Sequence, residues 1–369
     1  MQNMTRQRIA ALDVLRGADL FMLCIFQPLF LTFVSVTSIP WLQKTVPWFT
    51  HVDWEGFAFW DLIMPLFMFM AGTSMPFSMS KYRYPGEYYG KVFKRVLLLF
   101  IFGMLVQGNL LSLNPTEVRL YSNTLQAIAT GYLISAIVIR YTKWIGQIIA
   151  VILLLALYSG LMMWGGDYTP EGNFAEKIDQ LVLGPFRDGV YRNDTGWHFS
   201  PDYRYTWILS SLNFGATVLT GVLAGEILKR NGDMITKVKH LLLAGALLIG
   251  LGMVTGYSIP VIKKIWSSSM VLLSSGICYV LLGVFYYLVD FKRMYAGFDW
   301  LKVFGANSIA TYLLFMLVRY PLNNFFHQFI FGLEQYTGAF YGLLLNGVSC
   351  AVLWFLLYRM YQRRIFLKC

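Results

Sequence analysis

A histidine surrounded by carboxylates is the clearest chemical signal in this 369-residue chain. Thr50-His51-Val52-Asp53-Trp54-Glu55-Gly56 runs just ahead of an apolar stretch that opens with Asp61 and carries Pro65 one turn later. A carboxylate beside an imidazole orients the ring and stabilises its protonated form, which is what a general base needs. The same charges would also suit a hydrated loop at a membrane boundary, and Asp61 sits where a helix amino terminus favours an acid. Trp54, with Trp48 and Trp60, reads either as part of an interfacial aromatic belt or as a stacking platform for a sugar ring.

Few other ionisable groups fall within apolar runs, where they are costly and mark function by default. Asp13, Arg16 and Asp19 open the first run, as a self-compensating ion cluster or as an anion site built on Arg16. Lys91, Lys94 and Arg95 introduce the third, as a positive anchor or a phosphate clamp. Gln126, Asn213, Asn307, Ser308 and Asn346 are amides and a hydroxyl inside apolar runs that bind helices together or serve a site. His198, His240 and His327 have no partner at metal-ligand spacing, and Cys24, Cys278, Cys350 and Cys369 form neither a CxxC site nor a disulfide framework, so no metal is expected. No P-loop, GxGxxG or GxSxG pattern is present, which excludes a soluble-type nucleotide domain.

The elements that must position these groups follow from composition. With 57% hydrophobic and 13% charged residues, the chain has about half the charge of a soluble domain. It reads as an all-α polytopic membrane protein, a single domain over 1–369. Windows of about 20 apolar residues place ten helices near 18–37, 58–80, 92–113, 121–140, 144–164, 205–228, 241–259, 268–289, 301–319 and 338–358. Pro321 to Tyr336, broken by polar residues, reads as an interfacial or re-entrant piece. No cleavable signal peptide is expected after Arg6 and Arg8, so the first run stays as a helix. Residues 165–204 form the one long polar stretch, an extracytoplasmic cap over the helices or a plain connecting loop. It includes Asn193-Asp194-Thr195, a glycosylation acceptor in a host that glycosylates.

With the amino terminus placed inside, the inner face collects 21 of the 30 Lys and Arg residues, and the outer face collects 12 of the 19 acids. Both termini are therefore expected in the cytoplasm, and the net charge of +11 is a topology signal and an attraction to anionic membrane lipid, not a nucleic-acid footprint. Lys263 and Lys264 break the rule by lying outside, as snorkelling side chains or as partners for an anion. Gly221 and Gly225, and Gly252 and Gly256, are small-residue pairs at the spacing of close helix packing, and a homodimer is one use for such faces.

Several blocks, taken together, resemble the heparan-alpha-glucosaminide N-acetyltransferase family. Leu12-Asp13-Val14-Leu15-Arg16-Gly17 is similar to its opening block. His51 to Gly56, then Asp61-Leu62-Ile63-Met64-Pro65 with Gly72, resembles its histidine and DLxxP blocks. Phe93-Lys94-Arg95, Leu125-Gln126-Ala127-Ile128-Ala129, Pro260 through Lys263-Lys264-Ile265-Trp266-Ser267-Ser268-Ser269, and Gly305-Ala306-Asn307-Ser308-Ile309 also fit, as does the stretch from Gly172 to Ala175 with Asp179. The resemblance implies a bacterial inner-membrane enzyme that moves an acetyl group from cytosolic acetyl-CoA to the amine of a terminal glucosamine across the bilayer. The family's catalytic histidine then falls on His51, with Asp61 or Asp53 orienting it. Gln27, Asn307 or Ser308 would stabilise the developing oxyanion, Gln27 standing nearest to an amide of the family's first helix. Arg16, Lys94 and Arg95, with Gln126, would hold the coenzyme on cytoplasmic entry, and Lys263 and Lys264 if it lies near the outer face. Trp54, Glu55 and Asp179 would meet the acceptor sugar. The rival readings are an amino-sugar transporter with His51 and Asp61 as a proton relay, and an O-acyltransferase acting on a cell-envelope glycan.

Overall fold

The computed structural model describes residues 9–37, 39–108 and 117–367; Arg6, Arg8, Lys368 and Cys369 lie outside them. The chain is an all-α polytopic membrane protein. One-turn helices aside, it runs through α1 (Ala10–Val36), α2 (Ile63–Ser78), α3 (Pro85–Gln107), α4 (Thr124–Tyr141), α5 (Trp144–Gly165), α6 (Phe174–Leu183), a hairpin of β1 (Val190–Asn193) and β2 (Gly196–Phe199), α7 (Ser211–Lys229), α8 (Met234–Gly256), α9 (Ser268–Phe285), α10 (Asp299–Gly305), α11 (Ser308–Leu317), α12 (Arg319–Ile330) and α13 (Tyr341–Gln362). Two compact units divide it: one falls within Met1–Thr50 and Leu281–Lys368, the other within His51–Val280.

Among the described residues eight helices are long and apolar enough to cross a membrane, or nine if a bent pair is one span. Both differences from the ten expected spans have local causes. The run read at 301–319 breaks at Asn307 into α10 and α11, bent by 74°. The run read at 92–113 lies in α3, whose first turns carry Glu87, Lys91, Lys94 and Arg95, and its end runs past the described residues. The 44-residue stretch Arg319–Gln362 would measure about 66 Å as one straight helix, twice a bilayer core of roughly 30 Å. It folds back instead: Asn323 Nδ2 donates to Asn346 Oδ1 at 2.8 Å, and His327 Nδ1 lies 2.8 Å from the Tyr341 hydroxyl.

In the first unit α1 passes through a π-helical turn, Met22–Phe26, just before Pro28. A proline ring clashes with the carbonyl four residues back and gives up an N–H, and the wider turn absorbs both. Asp290 accepts from Ala10 N at 3.1 Å and Ala11 N at 2.8 Å, so the first amides of α1 are not left bare. Gly17 abuts the Leu301 carbonyl and Gly305 the Asp13 carbonyl, which lets α1 and α10 cross backbone to backbone.

In the second unit α2 and α7 form the buried centre. A methyl group at Gly72 would overlap the Val218 carbonyl oxygen, one at Gly221 the Phe69 oxygen, and one at Gly225 the Thr73 oxygen. With no hydrophobic drive between helices in lipid, close backbone approach supplies the dispersion contact. α5 and α8 leave Ile149, Ile152, Leu153, Leu243 and Leu247 exposed, the faces expected toward lipid. Gly221→Ala is expected to destabilise the unit by about 1–3 kcal/mol, because the obstructing atom is backbone and cannot rotate away. Gly250→Ala, where nothing lies within 4 Å, should be near neutral in the same thermal unfolding series in detergent.

Candidate active site

α2 begins where the site begins. Asp61 lies in the 3₁₀ turn Phe59–Leu62 that leads into it. Its Oδ2 accepts from Ala58 N at 3.0 Å, and its own N–H donates to the Ala58 carbonyl at 3.0 Å, which locks the turn. The other oxygen, Oδ1, lies 2.8 Å from His51 Nδ1 and 3.6 Å from Lys263 Nζ. Only 1% of the Asp61 side chain is accessible, against 39% of His51. The imidazole thus stands between a buried carboxylate and open space.

Lys263 comes from the loop between α8 and α9, 212 residues away in sequence, and its Nζ sits 2.7 Å from His51 Nδ1 and 3.0 Å from Nε2. A carboxylate only accepts, so the bond to Asp61 assigns the proton to Nδ1, and the Lys263 ammonium, which only donates, bonds to the ring's lone pair on Nε2 at 3.0 Å. Burial pushes the Lys263 ammonium down to about 8, against the opposing pull of Asp61's charge. The three groups form one electrostatic unit, and its ammonium titrates close to physiological pH.

Two loops are sewn together to make this contact. Glu55 and Ile262 form an antiparallel bridge, and Gly56 N donates to the Val261 carbonyl at 2.8 Å. Gly56 takes φ +127°, a conformation that L side chains rarely adopt. On the lysine side, Trp266 holds φ +54°, which costs a non-glycine residue about 1–3 kcal/mol. Asn213 of α7 donates to the Trp266 carbonyl at 2.6 Å and the Trp266 indole N–H to Thr217 at 3.0 Å, fixing the strained residue from below. The serine run is equally occupied: Ser267 Oγ accepts from Ile262 N at 3.0 Å, Ser268 donates to the Leu155 carbonyl at 3.0 Å, and Ser269 to the Pro260 carbonyl at 3.0 Å. These serines and Asn213 are anchors that hold Lys263 toward His51.

Of the residues the sequence singles out, His51, Asp61 and Lys263 converge. Asp53 and Glu55 are exposed beside them. Trp54 is part of a wall: its indole donates to the Tyr168 carbonyl at 2.9 Å, and it packs against a buried cluster that includes Leu209, Ile262 and Ile265. Asp179 is fully buried, its oxygens accepting from Trp207 N at 2.8 Å and Ile208 N at 2.9 Å, so it ties α6 to the turn before α7; burial pushes its carboxyl up to about 7. Gln126 completes the amino-terminal cap of α4, accepting from Ser122 N at 2.9 Å and Asn123 N at 3.1 Å. Lys94 is exposed and Arg95 lies over the Tyr132 ring at 4.3 Å, both in the first turns of α3. Lys264 is half-buried, its Nζ 5.9 Å from the Tyr205 ring centroid.

The remaining positions belong to the first unit. Arg16 lies 3.9 Å from Asp13, and Gln27 donates to the Phe49 carbonyl at 2.8 Å. Asn307, buried at the α10–α11 bend, donates to the Ile365 carbonyl and accepts from Leu367 N, both at 3.0 Å, while Ser308 opens α11. No motif could have pointed to the Lys263–His51 contact, because the pairing is wholly tertiary. The one available signal was a pair of lysines on the side where basic residues are scarce.

Asp61→Asn keeps one acceptor for Ala58 N but removes the charge that faces His51 and Lys263. The variant should fold, and its Lys263 ammonium should titrate below the wild type's value of about 8, having lost the attraction that raised it. Nuclear magnetic resonance of ¹⁵N-lysine-labelled protein reads this directly.

Comparison with known proteins gives the same direction. Residues 8–168 match the family described as heparan-alpha-glucosaminide N-acetyltransferase, catalytic. The human heparan-alpha-glucosaminide N-acetyltransferase is 25% identical over 379 residues, covering 87% of this chain and 56% of the relative. The mouse protein of the same name is 24% identical over 380 residues with the same coverage. The chain therefore spans about half the length of the curated relatives it matches. Residues 8–168, the segment similar to that family, hold His51 and Asp61.

Proposed function

We propose that the chain transfers an acetyl group from acetyl-CoA to the amine of a glucosamine-type sugar, with His51, Asp61 and Lys263 as the reacting unit. The observation that carries this reading is the half-exposed imidazole held between the buried Asp61 carboxylate and the Lys263 ammonium. The family match and the names of the relatives support acetyl transfer to glucosamine.

In this scheme Lys263 turns from Nε2 toward the thioester oxygen, and the acceptor nitrogen attacks the thioester carbonyl carbon while His51 Nε2 takes the proton that the nitrogen sheds. Asp61 holds Nδ1–H and stabilises the imidazolium that forms. The tetrahedral intermediate collapses with cleavage of the carbon–sulfur bond, and His51 returns its proton to the leaving sulfur. The Lys263 ammonium supplies positive charge beside the developing oxyanion, where low water content strengthens it. Placement of the acetyl on Nε2 first, followed by its transfer to the amine, uses the same residues in two half-reactions.

Sidedness follows from the lysines. The 23-residue span that carries α2 separates the His51 loop from Lys81 by roughly 35 Å, and Lys91, Lys94 and Arg95 follow in the first three turns of the returning α3. With the basic end in the cytoplasm, His51 faces the outer side, and the donor phosphates, expensive in hydrocarbon, stay near Lys94 and Arg95. Lys263, committed to His51 and Asp61, is not needed for them.

The test is transfer of labelled acetyl from acetyl-CoA to glucosamine glycosides by purified protein. His51→Ala is expected to lower turnover by about 10²–10⁴-fold in protein that still folds, with a lower unfolding temperature because buried Asp61 loses one of its partners. A folded His51→Ala protein that retains full activity would overturn the assignment, and wild-type uptake of the sugar into proteoliposomes without acetylation would replace it with transport.

A further inference from the structure

Beside the reacting unit runs a strip of three aromatic residues, Tyr203, Tyr205 and Trp207, just before α7. Thr206 N donates to the Lys264 carbonyl at 3.1 Å, which lays this strip along the lysine loop. The next residue back, Lys263, touches both ring nitrogens of His51. Tyr205 therefore stands next to the site by two independent ties, the backbone bond and the Lys264 ammonium 5.9 Å from its ring centroid. Burial and the charge of Asp61 push its phenol up, in keeping with that position.

The flanking rings are committed elsewhere. Trp207 is buried and donates from its indole to the Tyr203 hydroxyl at 2.9 Å, while Arg187 Nη2 donates to the Tyr203 carbonyl at 3.1 Å. Asp179 grips the strip at Trp207 N and Ile208 N. Held from the polar segment in this way, the strip is not a lipid-facing belt. Tyr205 is fixed at centroid distances of 6.0 Å from Tyr203 and 6.4 Å from Trp207, yet it stays half-buried, and among the described residues its hydroxyl has no hydrogen-bond partner. Trp54, the other aromatic in the neighbourhood, is built into the wall.

We propose that Tyr205 is the platform on which the pyranose ring of the acceptor lies, and so a specificity-determining residue; this rests on the acetyl-transfer reading given above. One face of a hexosamine ring presents C–H groups that pack on an aromatic surface, and stacking there leaves the ring's polar edge, amine included, free to turn toward His51. Preference for a sugar over an acyclic amine is then set by Tyr205, while the chemistry is set by His51.

The test measures binding and turnover separately on the purified 369-residue chain. Calorimetry reads binding of methyl glucosaminide to wild type, Tyr205→Phe and Tyr205→Leu, the last retaining apolar bulk without an aromatic face. Steady-state kinetics compares methyl glucosaminide with ethanolamine as acceptor. Tyr205→Phe is expected to match wild type, whereas Tyr205→Leu should bind the glycoside about tenfold more weakly and raise its KM by the same factor. The KM for acetyl-CoA and kcat/KM for ethanolamine should not move. Equal glycoside affinity in wild type and Tyr205→Leu, or no glycoside binding by wild type, would overturn the platform. Tyr205-dependent binding without any acetylated product would keep the platform and overturn the transfer reading instead.

Discussion

A carboxylate that is almost wholly withdrawn from water at the head of a membrane helix sets the terms for everything around it. Asp61 cannot remain there as an uncompensated charge, since removing one partner of a buried ion pair typically costs about 3–5 kcal/mol. Its compensation comes from three directions: the Ala58 amide, the His51 ring and the Lys263 ammonium. The last two come from loops far apart in sequence, so the need to satisfy one buried acid fixes where the imidazole and the amine must be. The histidine gains a set tautomer from this arrangement, and the lysine, whose ammonium burial disfavours, gains a carboxylate that partly offsets that cost.

Holding a lysine in such a place takes support, and the support is visible. Trp266 carries a left-handed backbone conformation that only its surroundings can maintain, and Asn213, Thr217 and the three serines hold it there. Below them, α2 and α7 cross at glycine contacts with no room for a methyl group. The rigid crossing carries both Asp61, at the head of α2, and Asn213, in the first turns of α7. Stability of the helix pair and geometry of the Asp61, His51 and Lys263 group therefore share one cause.

The fold was largely legible because apolar run length is a one-dimensional property that the bilayer constraint turns directly into helices. It differed at the Asn307 bend, which breaks a run in three dimensions, and at 92–113, where charged residues occupy the first turns of α3. His51 and Asp61 were legible too, ten residues apart around the start of one helix. Lys263 was noticed for its charge, but as a phosphate partner, because no local pattern reports a contact across 212 residues. The same limit applies to polar side chains in general. Gln126 turned out to be capping a helix, Asp179 to be holding backbone amides and Trp54 to be walled in, and each of these depends on neighbours that residue type alone does not reveal. Tyr205, by contrast, lies in an aromatic-rich stretch that drew no attention in the sequence and gains meaning only beside Lys264.

The central claim is that Lys263 acts with His51 and Asp61 as one charged unit, and the pH dependence of acetyl transfer tests it most directly. Lys263 is charged below about 8 and neutral above. If its ammonium stabilises the reaction, the wild-type rate must fall as pH rises through that value. Lys263→Met, compared at saturating acceptor, must be slow at every pH and must lack that descending limb. A Lys263→Met protein with wild-type rate and the same limb near pH 8 would contradict the account.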